Sequence, residues 1–459
     1  MSDREKHTPD SPGEVNHTPT ANQPDSARAD AVNVPASGSV TDTPKDAGAA
    51  VFETPAQPAK QGKLRSGLWR TIAVPLLAVL TGLIIGGIFI VVTTESVYAA
   101  FGRGFFAGLG EALRVVGEAY AALFTGSIGS PTRIVNAVIS GDGLEIRRAF
   151  NPFLESLVAS TPYIFAGLGV ALGFRSGVFN IGAEGQIFIG AIFSAFVGYS
   201  LQGIPAIIHI PLAMLAGAVG GGLWGFIPGW LKAKTGGHEV INSIMMNYIA
   251  FRLSDWLLTG PMKRPDSFNP VSPNIAPSAI LPRFFESPIR FHLGFFIALA
   301  MAYLVYWFLF KTTWGFELRT VGANPSGGRY AGMRVPRNIM LAMSLSGALC
   351  GMAGANEVLG VNYNLAMAFS SGYGFDAIAL ALLGNSQPLG VVLSALLFGT
   401  LRNGATRMQV VSSIPIDIIS ILQAIILALI AAPAIIRAIY RLREVAQGGG
   451  VNISGWGGK

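Results

Sequence analysis

Cysteine and charge are both scarce in this sequence. The one cysteine, Cys350, stands inside an apolar run, which excludes a disulfide framework or a cysteine-based metal site and leaves packing as its reading. Only 12% of the 459 residues are charged, against roughly a quarter in a soluble domain. With 51% hydrophobic residues such a chain cannot cover itself in water, and its expected solvent is a bilayer. The histidines (His7, His17, His209, His238 and His292) fall at no metal-ligand spacing, and there is no H-E-x-x-H helix and no G-x-S-x-G elbow. No metal and no cofactor is expected. A G-x-x-x-x-G-K-[ST] phosphate loop is also missing, so ATP hydrolysis would fall to a separate subunit and the chain itself is not expected to be an enzyme. No short apolar core with a cleavage site opens the chain, which argues against a removable signal peptide. The net charge of +7 comes without a basic stripe of interleaved aromatics, which argues against nucleic acid and for basic residues holding cytoplasmic loops.

Residues 1–60 are rich in Pro, Thr, Ser, Asp and Ala and lack apolar periodicity, so they cannot bury enough surface to offset their ordering entropy. A disordered cytoplasmic tail is expected there. Lys60, Lys63, Arg65 and Arg70 precede the first apolar run, 71–93, and a basic flank of this kind stays on the cytoplasmic side. Within 101–150, Phe105, Leu109, Leu113 and Val116 recur at helical spacing with Glu111, Arg114 and Glu118 between them, which predicts an amphipathic helix at the outer interface.

Further apolar segments lie at 153–173, 184–202, 205–230, 240–259, 291–310, 339–358, 375–400 and 414–436, each near the ~20 residues a spanning helix needs. Lys232 with Lys234, then Lys311, Arg319, Arg329, Arg334 and Arg337, and finally Arg437, Arg441 and Arg443 mark cytoplasmic loops and a cytoplasmic carboxyl terminus. Two inside termini require an even count. Splitting 375–400 at Asn385–Pro388, where Pro388 removes a backbone donor, gives about ten passes, within a range of eight to ten. The reading is an all-α polytopic protein of the plasma (inner) membrane, with a transmembrane domain over 61–445 and a short tail over 446–459.

Much of the abundant glycine, 57 residues, sits inside the apolar runs. Gly217, Gly221, Gly225 and Gly229 recur every fourth residue, as do the pairs Gly82 and Gly86, Gly169 and Gly173, and Gly347 and Gly351, which lets helices approach backbone to backbone.

Polar residues at membrane depth are the candidates for function, because a charge there costs at least ~2.5 kcal/mol and faces a partner or a water-filled path. In FNIGAEGQ, 179–186, Asn180, Glu184 and Gln186 sit among glycines that make continuous helix unfavourable, so backbone itself is expected to line a cavity or an interfacial loop. In GGHEVINSIMMNY, 236–248, Glu239, Ser243 and Asn247 fall on one helix face with His238 and Asn242 alongside, a stripe that either looks at the lumen or bonds neighbouring helices. GANEVLGVNYN and GYGFDAIALALLG place Asn356, Glu357 and Asp376 at the ends of consecutive segments, where a first-turn acid such as Asp376 also reads as a helix cap. The most basic loop holds GFELRTVGANPSGGRYAGMRVPR, 315–337, whose turn and short small-residue helix suit a docking surface for a cytoplasmic partner as well as simple charge anchoring.

These motifs carry a resemblance. ALGFRSGVFNIGAEGQIFIGA (171–191), GGHEVINSIMMNYIA (236–250), TVGANPSGGRYAGMRV (320–335), SGALCGMAGANEVLG (346–360) and GYGFDAIALALLGNSQPLGVVLSALLFGTL (372–401) resemble, in the same order, the nucleoside-type ABC importer permeases. These belong to the larger family that serves simple sugars and branched-chain amino acids. The resemblance covers about 70–440 and implies a type II-like permease. It implies working beside a second permease subunit, homologous or identical, a cytoplasmic ABC ATPase and an extracytoplasmic substrate-binding lipoprotein. It also implies that 311–338 is a coupling loop, with Gly322, Asn324, Pro325, Arg329, Tyr330 and Gly332 meeting the ATPase. Asn180, Glu184, Gln186, Glu239, Asn242, Asn247, Asn356 and Asp376 are the expected substrate path, their amides suiting the hydroxyls and base edge of a nucleoside. A ribose-like sugar is the alternative substrate. An ion-coupled carrier using Glu184, Glu239 or Asp376 is the alternative of another class.

Overall fold

The computed structural model describes residues 64–412 and 417–441. All of them fall within one compact unit, Gly62–Lys459, and the tails expected over 1–60 and 446–459 lie outside the described residues. The helices are α1 (Leu64–Thr93), α2 (Glu95–Arg103), α3 (Phe105–Ser127), α4 (Pro131–Ser140), α5 (Gly143–Arg175), α6 (Ala183–Ser200), α7 (Ala206–Thr235) and α8 (Glu239–Thr259). After a long connection come α9 (Gly294–Lys311), α10 (Thr313–Ala323), α11 (Pro325–Tyr330) and α12 (Val335–Asn356), which runs into a π-helical turn, Glu357–Asn362. The chain continues with α13 (Tyr373–Leu383), α14 (Pro388–Ser412), α15 (Asp417–Ala431) and α16 (Pro433–Ile439). Among the described residues, β-structure is limited to two isolated bridges, Val271 with Ala366 and Arg283 with His292.

Six helices among the described residues are long and apolar enough to cross a bilayer, which makes this a polytopic membrane protein. α6 and α8 fall outside that set although both follow apolar segments of the sequence. They carry Glu184 and Gln186, and Glu239, Arg252 and Asp255, which lower their hydropathy. The apolar stretch of α5 is 83% buried and that of α9 only 28%. The rest of the chain therefore surrounds α5, while most of the circumference of α9 is left uncovered by it.

The expected break of 375–400 is present at residues 384–387, between α13 and α14. Its first half is no full span, since the 11 residues of α13 extend only ~16 Å, about half a hydrocarbon core. A non-helical segment, 363–372, leads into it.

The helix expected from the spacing of Phe105, Leu109, Leu113 and Val116 is present as α3; the rest of 101–150 forms the end of α2, α4 and the start of α5, with the positive-φ glycines Gly104 (φ 152°), Gly129 (φ 102°) and Gly141 (φ 68°) at the breaks. α3 packs through Ala112, Val115, Ala119 and Leu123 against Leu401, Ala405 and Met408 of α14, leaving Phe105, Leu109 and Leu113 exposed. Alanines let the two helices approach closely, while the exposed face of α3 is itself apolar.

The glycine faces meet one another around α12. A Cβ on Gly351 would strike the Gly217 carbonyl and lie 3.0 Å from the Gly221 Cα on α7. One on Gly354 would lie 2.9 Å from the Ala191 amide of α6, and one on Gly169 of α5 would lie 2.9 Å from Cys350 Sγ. α12 is thus wedged among α5, α6 and α7 with no room for side chains, and Cys350 is buried in that wedge.

The connection between α8 and α9 is fastened at several points. Arg290 grips Glu155 of α5 through its amide (3.0 Å) and its guanidinium (3.0 and 2.6 Å). His292 is buried, and burial first, then the charges of Arg283 and Arg290, lowers its pKa from 6.5 to about 4.

Two outcomes follow from this packing. Gly351→Ala should lower stability by ~1–3 kcal/mol through overpacking, whereas Gly110→Ala, with nothing within 4 Å, should be neutral or stabilising by ~0.5–1 kcal/mol. Thermal midpoints of the purified protein in detergent would read both, and equal shifts would contradict the wedge. For His292, the folded value lies below the unfolded one, so its contribution is complete above pH 6.5 and is lost as pH falls toward 4. The midpoint should drop over that window, and His292→Gln should flatten the drop.

Candidate functional site at two helix breaks

The first break follows α5. Gly177 (φ 69°) turns the chain, and residues 177–182 run without helix before α6 begins at Ala183. Backbone released from a helix within a bilayer needs partners supplied by the protein. Asn180, fully buried, supplies several. Its Nδ2 donates to Gln186 Oε1 and Ser346 Oγ, both at 2.8 Å, while its Oδ1 accepts from the Gly182 amide (3.0 Å) and from Gln186 Nε2 (3.1 Å). All four hydrogen-bonding positions of this amide are used inside the fold. Asn247 of α8 completes the brace, accepting from the Gly185 amide at 2.8 Å and donating to the Ile181 carbonyl at 2.9 Å. The stripe Glu239, Ser243 and Asn247 is buried along its length, with Ser243 packed against Gly182.

The second break is the segment before α13. Glu184, 2% exposed, accepts from the Ser370 hydroxyl (2.6 Å) and from the Gly374 amide (2.5 Å). Gly374 is the second residue of α13, so its amide is one of the orphan donors at a helix start, and a carboxylate from another helix satisfies it. The chain above is held by the α8–α9 connection, through Ser272 N to the Leu365 carbonyl (2.8 Å), Leu365 N to Ser272 Oγ (2.8 Å) and Ile275 N to the Tyr363 carbonyl (2.9 Å). Glu184 therefore joins the two breaks.

Beside that joint lies a charged cluster. The buried Tyr163 hydroxyl donates to Asp376 Oδ2 at 2.8 Å and accepts from Arg402 Nη1 at 2.7 Å. Arg402 and Asp376 approach to 3.7 Å, and the guanidinium lies 5.0 Å over the Tyr373 ring. The side chains of Arg402 and Asp376 remain 27% and 33% exposed. Two opposite charges that are part-exposed on transmembrane helices belong against water or another protein surface rather than lipid. Tyr163, Tyr373 and Arg402 were not singled out in the sequence. Tyr163 and Arg402 stand 239 residues apart, and nothing in the local pattern of either marks the other as its partner.

The remaining candidates are scattered. Glu239 pairs with Lys232 across the α7–α8 turn, and Asn242 is half-buried next to it. Asn356 is fully buried, and neither its Nδ2 nor its Oδ1 has a hydrogen-bond partner among the described residues. It crowds Gly294 together with His292, whose Nε2 is likewise unpartnered. Among the described residues no three His, Cys, Asp or Glu side chains converge on a metal-sized site.

The segment 311–338 folds as a compact pair of helices. Thr312 caps α10 through the Gly315 amide (3.1 Å), Asn324 caps α11 through the Gly327 amide (3.0 Å), and Pro325 occupies the first turn of α11. Gly332 (φ 82°) closes the turn toward α12. Arg329 is exposed, Tyr330 is 97% exposed, and Gly322 packs on the α5–α6 turn.

If Asp376 and Arg402 compensate each other, removing one leaves an unpaired charge at ~2.5 kcal/mol or more. Arg402→Met and Asp376→Leu should each destabilise more than the double variant does, with a coupling energy of ~0.5–3 kcal/mol from thermal midpoints. Additive losses would show that the pair is not coupled.

Residues 153–444 match the family described as the permease component of branched-chain amino acid transport systems. The guanosine ABC transporter permease NupP of Bacillus subtilis is 39% identical over 371 residues, 80% of this chain and 94% of that protein. The nucleoside ABC transporter permease NupB of Lactococcus lactis is 31% identical over 375 residues, covering 80% and 92%. A glucose ABC transporter permease of Haloferax volcanii is 36% identical over 282 residues, covering 60% and 74%. No solved structure matches. With well over half of its length, from α5 onward, answering to one family, and relatives similar along nearly all of their own length, this chain belongs to the family of transport-system permease components.

Proposed function

We propose that this chain is the membrane-spanning subunit of an ABC importer for nucleosides, passing them by alternating access under the drive of a separate ATPase. The observation that carries the reading is its 39% identity with a guanosine permease across 94% of that protein. The chemistry of the site agrees with it. A nucleoside is neutral and rich in hydroxyls and amide-like edges, so groups that hydrogen-bond without demanding a net counter-charge suit it. In this reading Asn180, Gln186 and Asn247 hold the breaks open. Asp376 and Arg402, mutually compensated, line the path beside Ser371, with Glu184, Asn242 and Asn356 along it.

The finer architecture belongs to the same proposal. Counting 363–383 as one pass and α3 as a non-spanning helix gives ten passes, α1, α5 to α9, α12, 363–383, α14 and α15. Both termini are then cytoplasmic, which the basic groups of the sequence support. The permease domain runs over 61–445 in the plasma membrane. The exposed α10–α11 element is the coupling loop, and Glu239 with Lys232 clasps the next cytoplasmic turn. The partners are a cytoplasmic ABC ATPase, a second permease subunit and an extracytoplasmic substrate-binding lipoprotein.

Uptake of labelled guanosine, uridine and adenosine should require the gene, require ATP and ignore excess ribose. Arg329→Glu, reversing an exposed charge on the coupling element, should cut uptake by about tenfold or more if that charge meets the ATPase, since close charge pairs at interfaces couple by ~1.5–7 kcal/mol. Loss of sugar uptake with intact nucleoside uptake would transfer the reading to the sugar branch, and uptake that survives ATP depletion would overturn the importer reading.

A further inference from the structure

Arg175, the last residue of α5, stands at the edge of the first helix break without bonding within it, and three elements converge on it. Its Nε donates to the Ser386 carbonyl at 3.1 Å and its Nη2 to the Asn385 carbonyl at 3.0 Å. Both carbonyls belong to the turn that joins α13 to α14. That turn is an unfavourable one. Asn385 (φ 51°) and Ser386 (φ 49°) are consecutive non-glycine residues in the left-handed region, which costs ~1–2 kcal/mol for each. Internal bonds from the Ser386 amide to Ala381 (2.7 Å) and the Asn385 amide to Leu382 (2.9 Å) hold it, and the forked guanidinium fixes the carbonyls on the other side.

Two residues beyond Arg175, Gly177 is in backbone contact with α10. A Cβ on Gly177 would lie 2.6 Å from Gly322 Cα, and one on Gly322 would lie 2.5 Å from the Ser176 carbonyl carbon. The end of α10, which leads directly into α11, is thus seated on the Arg175–Gly177 turn with no intervening side chain. A third contact closes the set. The Phe310 ring at the end of α9 carries the Arg319 guanidinium of α10 at 5.0 Å and the Arg175 guanidinium at 6.0 Å. Arg319 also donates to the Leu309 carbonyl at 2.9 Å. On the far side, α13 is a rigid rod of 11 residues, and its first turn carries both Gly374, bonded to Glu184, and Asp376, bonded to Tyr163.

We propose that Arg175 is a positioning residue that links the α10–α11 element to α13, so that displacement of that element is passed through the 385–386 turn to the joint at Glu184 and Asp376. The proposal rests on the importer reading, which supplies the displacement through the ATPase. A shift of α10 moves Gly322 against Gly177 and carries the α5 terminus with it. The guanidinium holds two carbonyls of the turn at once, so the turn must follow. α13 then moves as one body, because both of its ends are bonded and neither is free to absorb the change.

The test uses the assembled transporter, this chain with its partner permease and ATPase, in proteoliposomes with labelled guanosine as probe. Arg175→Gln removes the two charge-assisted bonds and should lower guanosine transported per ATP hydrolysed by about tenfold or more, while ATP hydrolysis stays within about twofold. Arg175→Lys keeps the charge without the fork and should restore coupling only in part. Unchanged transport per ATP in either variant, or full rescue by Lys, overturns the proposal.

Hydrogen exchange on the unmutated complex gives an arm that does not depend on a folded variant. With a non-hydrolysable ATP analogue, exchange should change at 320–332 and at 381–388 together. A change at 320–332 alone overturns the relay and leaves the importer reading standing. No change in either segment, together with ATP-independent uptake, overturns both.

Discussion

Backbone that leaves a helix inside hydrocarbon has no water to turn to, and the fold is arranged around meeting that demand in two places. Side chains from distant helices do it: Asn180 and Asn247 at the end of the α5–α6 turn, Glu184 at the start of α13. A buried polar group without a partner costs several kcal/mol in this environment. The polar residues at depth are therefore tied first to backbone. This explains why they are so fully buried, and why the charged pair beside them, Asp376 with Arg402, is the part of the cluster that keeps exposed surface.

The dense glycine packing serves the same end by another route. α12 touches α7 and α6 through Gly347, Gly351 and Gly354, and α5 where Gly169 lies against Ser346 and Cys350, so that backbones meet almost directly. Such contacts give van der Waals attraction over a long seam while fixing few side-chain rotamers. The wedge supplies a stiff centre, and around it the broken elements are held by hydrogen bonds, which can be exchanged one for another when elements shift.

The helices were legible in the sequence because their apolar runs are long and their basic flanks abrupt. The break at 384–387 was legible from Pro388. The half-length of α13 was not, since the apolar run over 375–400 carries no sign that the chain before it, 363–372, stays non-helical under the α8–α9 connection. In the site, Glu184 and Asp376 could be picked out as acids in apolar surroundings. Their partners could not: Tyr163 looks like an ordinary aromatic within α5, and Arg402 stands near the end of an apolar run where it reads as a flank. Pairing across 239 residues leaves no trace in local pattern. The same holds for Asn180, whose amide reads equally well as a substrate contact or as the brace it forms here, because residue type is the same for both.

α13 has one further consequence. A helix that crosses a bilayer is held in depth by the bilayer itself, through its apolar length and its interfacial flanks, and it tilts or shifts when the membrane thickens or thins. α13 does not cross the bilayer on its own, and its two ends are bonded to protein, to Glu184 at one and to Arg175 through the adjoining turn at the other. Its depth is registered to its neighbours rather than to lipid. The geometry around Asp376 is therefore insulated from changes in membrane thickness, so that the same site can work in bilayers of differing lipid composition.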